Sequence, residues 1–201
     1  MVKTRIIGLT GNVACGKSTV AKFLREKGIP VIDADHVACE VTASSATVLA
    51  RILTEFGKEV LDAAGGLSRQ SLREVIFRDA GKRRKLEAIL HPEIRKRSAE
   101  LIHALVKKQT PTVIYEAPLL IEAGQLKEFE GLLLVTCPRE LQKRRLLARD
   151  SDTTPALADQ MIDAQMPQEE KRKRASWVIE NAGTEEQLRS QVLTWVRQHV
   201  G

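Results

Sequence analysis

Aromatic residues are scarce in this sequence: phenylalanine, tryptophan and tyrosine together make up 3% of 201 residues. With no RNA- or DNA-binding signature beside that scarcity, nucleic acid is not the expected main ligand. No apolar run approaches the roughly 20 residues needed to span a bilayer, so no membrane-spanning helix is expected. "MVKTR" leads directly into an apolar stretch without the cleavage pattern of a signal peptide, and the expected location is therefore cytoplasmic. The three cysteines, Cys15, Cys39 and Cys137, form an odd count without paired metal-ligand spacing. Neither a disulfide framework nor a zinc site follows from them, and reduced thiols are the plain expectation. The Asn-Lys-x-Asp text that reads guanine is missing, which argues against a regulatory GTPase.

What is present is a basic, otherwise ordinary globular composition. Hydrophobic residues make up 43% and charged residues 29%, with a formal net charge of +6. The length allows one substantial core, with room for a small appended subdomain. The positive balance asks for an anionic partner, and polyphosphate metabolites account for it more economically than nucleic acid does. Basic runs occur at 82–85, 143–149 and 170–174. The last of them, within "EEKRKR", reads as a solvated helix laced with opposite charges.

Short apolar segments alternate with helical text. "RIIGLT" (5–10), "IPVIDAD" (29–35), "TPTVIYEAP" (110–118), "GLLLVTCP" (131–138) and "SWVIENAG" (176–183) read as strands. Such strands separated by helices predict an α/β fold, a parallel sheet covered on both faces. Gly28 is a natural stop for the first helix, and Thr154 with Pro155 suits a cap and first turn. The text from 36 to 109 is helical and too large for a simple crossover, so it is expected to form a substrate-side subdomain. A turn at "DAAGG" (62–66) interrupts it, and Pro92 is expected to start its last long helix. The core is then 1–35, 110–138 and 176–201, and residues 139–175 form a lid region.

"GNVACGKST" (11–19) lies between the first strand and the first helix. Gly11-x-x-x-x-Gly16-Lys17-Ser18 matches the Walker A pattern in its strand–loop–helix setting. Successive backbone N–H groups make a concavity for anions, aided by the positive end of the following helix. Lys17 can reach terminal phosphates and the Ser18 hydroxyl can ligate Mg²⁺. The motif points to a nucleoside triphosphate and says nothing of the acceptor.

Two acids end predicted strands where open α/β sheets bind ligands. Asp33 is the expected proton acceptor for an attacking hydroxyl, while Asp35 is expected to cap the next helix. Glu116 could hold metal-bound water, serve as an alternative base, or simply be a solvated acid at a strand end. In "QKRRLLARD" Arg145 and Arg149 share one helix face, with Gln142 a turn earlier. Their forked guanidinium groups suit a lid that closes on a triphosphate.

Taken together, "IIGLTG…GKST", "VIDAD", "LREVIF", "LEAILHP", "APLLIE", "LQKRRLLARD" and "VIENAG" resemble the dephospho-coenzyme A kinase family in order and spacing, over residues 5 to 195. The resemblance implies transfer of the ATP γ-phosphate to the ribose 3′-hydroxyl of dephospho-coenzyme A, with Mg²⁺. It implies a P-loop kinase fold with a five-stranded parallel core, a helical substrate domain and a mobile lid. Asp33 matches the family's proposed base. The phosphate-binding set carries over onto Gly11, Asn12, Val13, Ala14, Cys15, Gly16, Lys17, Ser18 and Thr19, and Arg145 and Arg149 match the lid arginines. His91, beside Pro92, belongs to the substrate-side motif, and Asn181 to a loop near adenine. Another small-molecule P-loop kinase, such as a nucleoside monophosphate kinase, is the alternative. The oligomeric state is left open.

The chain departs from that pattern where Asn12, Ala14 and Cys15 replace Gly, Gly and Ser, and where Cys39 replaces an arginine. Alanine in place of glycine predicts that position 14 does not need a positive φ. Loop N–H groups and Lys17 are expected to lower the Cys15 thiol pKa, making it open to alkylation unless ATP is bound.

Overall fold

The computed structural model describes residues 3–62, 65–77, 79–149 and 151–200. It divides into two compact units, residues 1–32 with 105–201, and residues 33–104.

The first unit opens with β1 (Arg5–Gly11) and α1 (Lys17–Glu26), followed by β2 (Val31–Asp33). α1 stops where Gly28 takes a φ of 74°, a left-handed turn that glycine enters without a Cβ penalty. In the second unit come α2 (Ala34–Ser44), α3 (Ala46–Phe56), α4 (Arg69–Phe77) and most of α5 (Ala80–Lys107). The chain then returns through β3 (Thr112–Glu116), β4 (Gly131–Thr136), α6 (Arg139–Arg149), α7 (Pro155–Asp163), α8 (Gln168–Arg172), β5 (Trp177–Glu180) and α9 (Glu185–His199).

The five strands lie in the order β2-β3-β1-β4-β5. β1 pairs parallel with β3 on one side, Ile7 opposite Ile114, and with β4 on the other, Leu9 opposite Leu133. Every residue of β3 and β4 is buried, which explains their unbroken apolar text: both faces are covered. Ile7, Leu9, Ile114, Leu133 and Val135 form one buried cluster with Phe23 and Leu24 of α1 and Leu188, Val192 and Trp195 of α9.

In the second unit Val37, Val41, Val48, Ile52, Phe56, Leu72, Leu86 and Ile89 are buried. α5 is tied to its neighbours by ion pairs, Arg97 to Glu40 on α2 and Lys85 to Glu55 on α3, both at 2.6 Å. One expectation is corrected here. Pro92 does not begin a helix but lies inside the 28-residue α5. It gives up one N–H bond to the preceding turn, and the helix continues through it. Within the helical text, α2 and α3 are separated at Ser45, whose extended backbone and hydroxyl cap α3, the hydroxyl accepting from Val48 N. Of the turn expected at 62–66, Ala63 and Ala64 lie outside the described residues; Asp62 Oδ1 accepts from Gly66 N.

Among the described residues no single helix is long and apolar enough to cross a membrane.

Candidate active site

The phosphate loop joins the central strand to α1, and its helix start is unlike most others in the chain. α2, α3, α7 and α9 are each capped by a side-chain oxygen, from Asp33, Ser45, Thr154 and Thr184. α1 begins at Gly16 with no side-chain cap and no acidic residue in its first turn. The positive end of its dipole is therefore uncompensated, and its first N–H groups are left for a ligand. Ser18 is exposed and Thr19 partly exposed in that first turn.

Two glycines are fixed by geometry. Gly16 has a φ of 88°, and a Cβ there would collide with Asn181 Nδ2. At Gly11 a Cβ would stand 2.6 Å from the Val135 carbonyl oxygen. Ala14 contradicts the sequence reading, for it adopts a φ of 58°. Its surroundings impose this: Arg145 Nη1 donates to the Ala14 carbonyl at 3.3 Å, and the residue packs against the Leu146, Ala158 and Ile162 cluster of α6 and α7. An L-residue there costs about 1–2 kcal/mol. Glycine loses more chain entropy and the methyl packing, so Ala14→Gly is expected to stabilise the fold by about 0.5 kcal/mol, or roughly 1–2 °C in Tm. Calorimetry of the two proteins decides it; a lower Tm for the variant would show that position 14 is unstrained.

Side chains far away in sequence shape the loop. Asn12 Nδ2 donates to the Met166 carbonyl at 3.0 Å and Val13 N to Gln165 Oε1 at 2.7 Å. Gln142 Nε2 donates to the Val13 carbonyl at 2.7 Å, and Asn181 Nδ2 to the Cys15 carbonyl at 2.9 Å. Arg145 Nη2 reaches Asn181 Oδ1 at 3.2 Å. Gln168 ties this group together, its Nε2 donating to Gln142 Oε1 and the Cys137 carbonyl, and its Oε1 accepting from Cys137 N. The loop is thus held in shape by bonds from the protein itself. Gln165 and Gln168 were missed in the sequence, where an isolated glutamine carries no signal; Gln142 was marked only by its spacing from Arg145.

Lys17 and Glu116 meet directly. Lys17 Nζ is 2.8 Å from Glu116 Oε1, and Arg25 Nη2 lies 3.7 Å from Oε2. Glu116 is 2% exposed, so it is not a solvated strand end. Its Oε2 has no hydrogen-bond partner among the described residues.

Cys15 overturns its expected reactivity. It is fully buried, with Sγ 3.5 Å from Cys137 Sγ and 3.5 Å from Gln168 Oε1. Contact with the Cys137 sulfur, then burial, pushes its thiol pKa up rather than down. Lys171, read as part of a solvated run, is likewise buried; its ammonium pairs with Glu122 at 2.8 Å and donates to the Pro118 carbonyl.

Asp33 and Asp35 exchange one expected role. β2 ends at Asp33 and α2 starts at Ala34, so it is Asp33 that caps, its Oδ1 accepting from Asp35 N at 2.9 Å and His36 N at 3.3 Å. Both bonds use Oδ1, and Oδ2 stays outside the cap. Asp35 lies in the first turn of α2. His91 is exposed on α5, and Arg149 is exposed at the last residue of α6.

A five-stranded parallel sheet of this order, with a glycine-lysine-serine loop opening an uncapped helix, defines a P-loop kinase fold. Comparison with known proteins narrows the class. The family model for dephospho-CoA kinase matches residues 5–187. A dephospho-CoA kinase from Anaeromyxobacter dehalogenans is 43% identical over 92% of this chain and 87% of its own. A crystal structure from Thermus thermophilus superposes with a TM-score of 0.80 at 38% identity, covering 98% of this chain and 99% of that one. The dephospho-CoA kinase of Campylobacter jejuni gives 0.74 at 26% identity, covering 98% and 97%. The chain belongs to the dephospho-CoA kinase family.

Proposed function

We propose that the protein transfers the γ-phosphoryl group of ATP to the ribose 3′-hydroxyl of dephospho-CoA, giving CoA and ADP, the last step of coenzyme A synthesis. The observation that carries this is the loop before α1, braced by side chains and opening a helix without a side-chain cap, in a chain of this family. Loop N–H groups and the α1 dipole hold the phosphates, and Lys17 exchanges Glu116 for a phosphate oxygen.

Asp33 is the base: Oδ1 fixes the carboxylate through the cap, and Oδ2 takes the proton from the attacking hydroxyl. Arg145 and Arg149 serve the nucleotide, with Asn181 near its base. Asp35 and the helical residues 36–109, His91 among them, bind dephospho-CoA, and residues 139–175 form the lid. A magnesium ion fits the oxygen donors present: the exposed Ser18 hydroxyl would be a direct ligand, and Glu116, whose Oε2 has no hydrogen-bond partner among the described residues, would hold it through water. When bound, the ion neutralises charge on the β- and γ-phosphate oxygens. The reaction is cytoplasmic and needs neither nucleic acid nor membrane.

The test is ADP release with Mg·ATP and, in turn, dephospho-CoA, AMP, other nucleoside monophosphates, adenosine or no acceptor. Release confined to dephospho-CoA is expected. Turnover on a nucleoside monophosphate would keep the chemistry and reject the substrate, and turnover without acceptor would reject the kinase reading.

A further inference from the structure

We infer that Cys15 and Cys137 form a dithiol site that a hydroperoxide converts to a disulfide, locking the phosphate loop to the end of β4. The two sulfurs lie 3.5 Å apart, and both residues are buried, at 0% and 3% exposure. Cys15 is the residue before the Gly16 cap of α1, and Cys137 follows β4 directly. No backbone rearrangement on the scale of an element is needed to join them. A disulfide of about 2.0 Å requires the sulfurs to close by roughly 1.5 Å.

A cavity beside Cys137 offers access. It measures about 260 Å³ and is lined by Thr136, Cys137, Pro138, Arg139, Gln168 and Arg172, among others. A water takes about 30 Å³ of liquid volume, so a small hydroperoxide fits. Of the two cysteines it is Cys137 that lines this cavity. The two thiols are also chemically unequal. The Cys15 contact first, and the Arg145 guanidinium beside it, hold the Cys137 thiol below its ordinary value, while Cys15 is held above. Cys137, which lines the cavity and has the Arg145 guanidinium beside it, is thus assigned as the attacking thiol and Cys15 as the resolving one.

The steps balance. The Cys137 thiolate attacks one peroxide oxygen; the O–O bond breaks, a sulfenic acid forms, and hydroxide leaves and is protonated to water. The Cys15 sulfur then attacks the Cys137 sulfur; the S–O bond breaks, the S–S bond forms, and Cys15's proton departs with hydroxide as a second water. Two thiols are oxidised by two electrons in total, and the peroxide is reduced by two. An organic hydroperoxide gives an alcohol in place of the first water.

The consequence for catalysis rests on the phosphate-loop reading; the thiol pairing does not. Closing the gap draws Cys15 toward β4 and shifts the loop N–H groups. Displacement on the 1 Å scale at a positioned site costs about 10²-fold in rate. The oxidised protein should lose that much kinase activity, and thiol reduction should return it.

The experiment is peroxide treatment of the whole protein, then maleimide labelling after denaturation, peptide mapping, and ATP binding before and after dithiothreitol. Labels should fall from three to one, the remaining label on Cys39, with a peptide pair joined through Cys15 and Cys137. In Cys39→Ser they should fall from two to none, and in Cys137→Ser two should remain. Three labels after peroxide, or oxidation confined to Cys39 or to Cys137 as a sulfinic acid, would overturn the site. A mapped disulfide with unchanged ATP binding would overturn its control of the loop. An untreated protein that binds no ATP, yet forms the disulfide, would instead reject the phosphate-loop reading.

Discussion

Asp33→Asn is expected to lower kcat with dephospho-CoA by about 10²–10⁴-fold, the usual contribution of a positioned general base. The substitution separates chemistry from folding unusually well. In the structure the Asp33 carboxylate accepts from Asp35 N and His36 N through Oδ1 alone. Asparagine is as good an N-cap as aspartate, so α2 keeps its start and the Tm should move by less than about 1 °C. What disappears is the charge on Oδ2 that would take a proton. Asp33→Ala loses the cap as well, and should add roughly 1 kcal/mol of destabilisation to the same catalytic loss. A kcat for Asp33→Asn within a few-fold of the parent would remove Asp33 as base and direct attention to Glu116.

Lys17→Met should lower kcat/KM by about 10²–10³-fold, the scale for losing one donor to developing charge. It should also abolish most of the rise in Tm that ATP gives the parent. A stability loss comes with it, because Glu116 is 2% exposed and would be left with Arg25 at 3.7 Å as its charged partner. Removing one member of a buried pair is costly, here on the order of 2 kcal/mol given the remaining arginine. Glu116→Gln in the Lys17→Met background removes the stranded charge. The double variant should regain stability without regaining activity. If it recovers neither, the Lys17–Glu116 pair is not what held the single variant down.

Features written over a few adjacent residues were legible in the sequence. The apolar runs of β1, β3 and β4, the Gly28 stop, the Thr154–Pro155 start of α7 and the glycine-lysine-serine loop all follow from local periodicity and turn chemistry. Features set by distant partners were not. Ala14 reads as an ordinary residue until Arg145 is seen holding its carbonyl, and Cys15 reads as an exposed loop thiol until Cys137 is found 3.5 Å away. Lys171 sits in a run of charges that looks solvated, and only the fold brings Glu122 to it. Asp33 and Asp35 differ by one alternation of a strand; where β2 stops decided which of them caps, and strand ends are weakly encoded. Pro92 shows the converse, a strong local signal overridden by the helix on either side of it.

The bonds that shape the phosphate loop span almost the whole chain. Asn12 and Val13 reach partners 154 and 152 residues onward, and Cys15 meets Asn181 across 166. During synthesis the loop emerges early, but its clamps follow only after β4, α6, α8 and β5 have been made. Contacts of such separation must close very long loops, so they form late in folding. A nascent or C-terminally cut chain therefore carries the whole nucleotide motif without its shape, and firm ATP binding becomes a report that the last strand has docked.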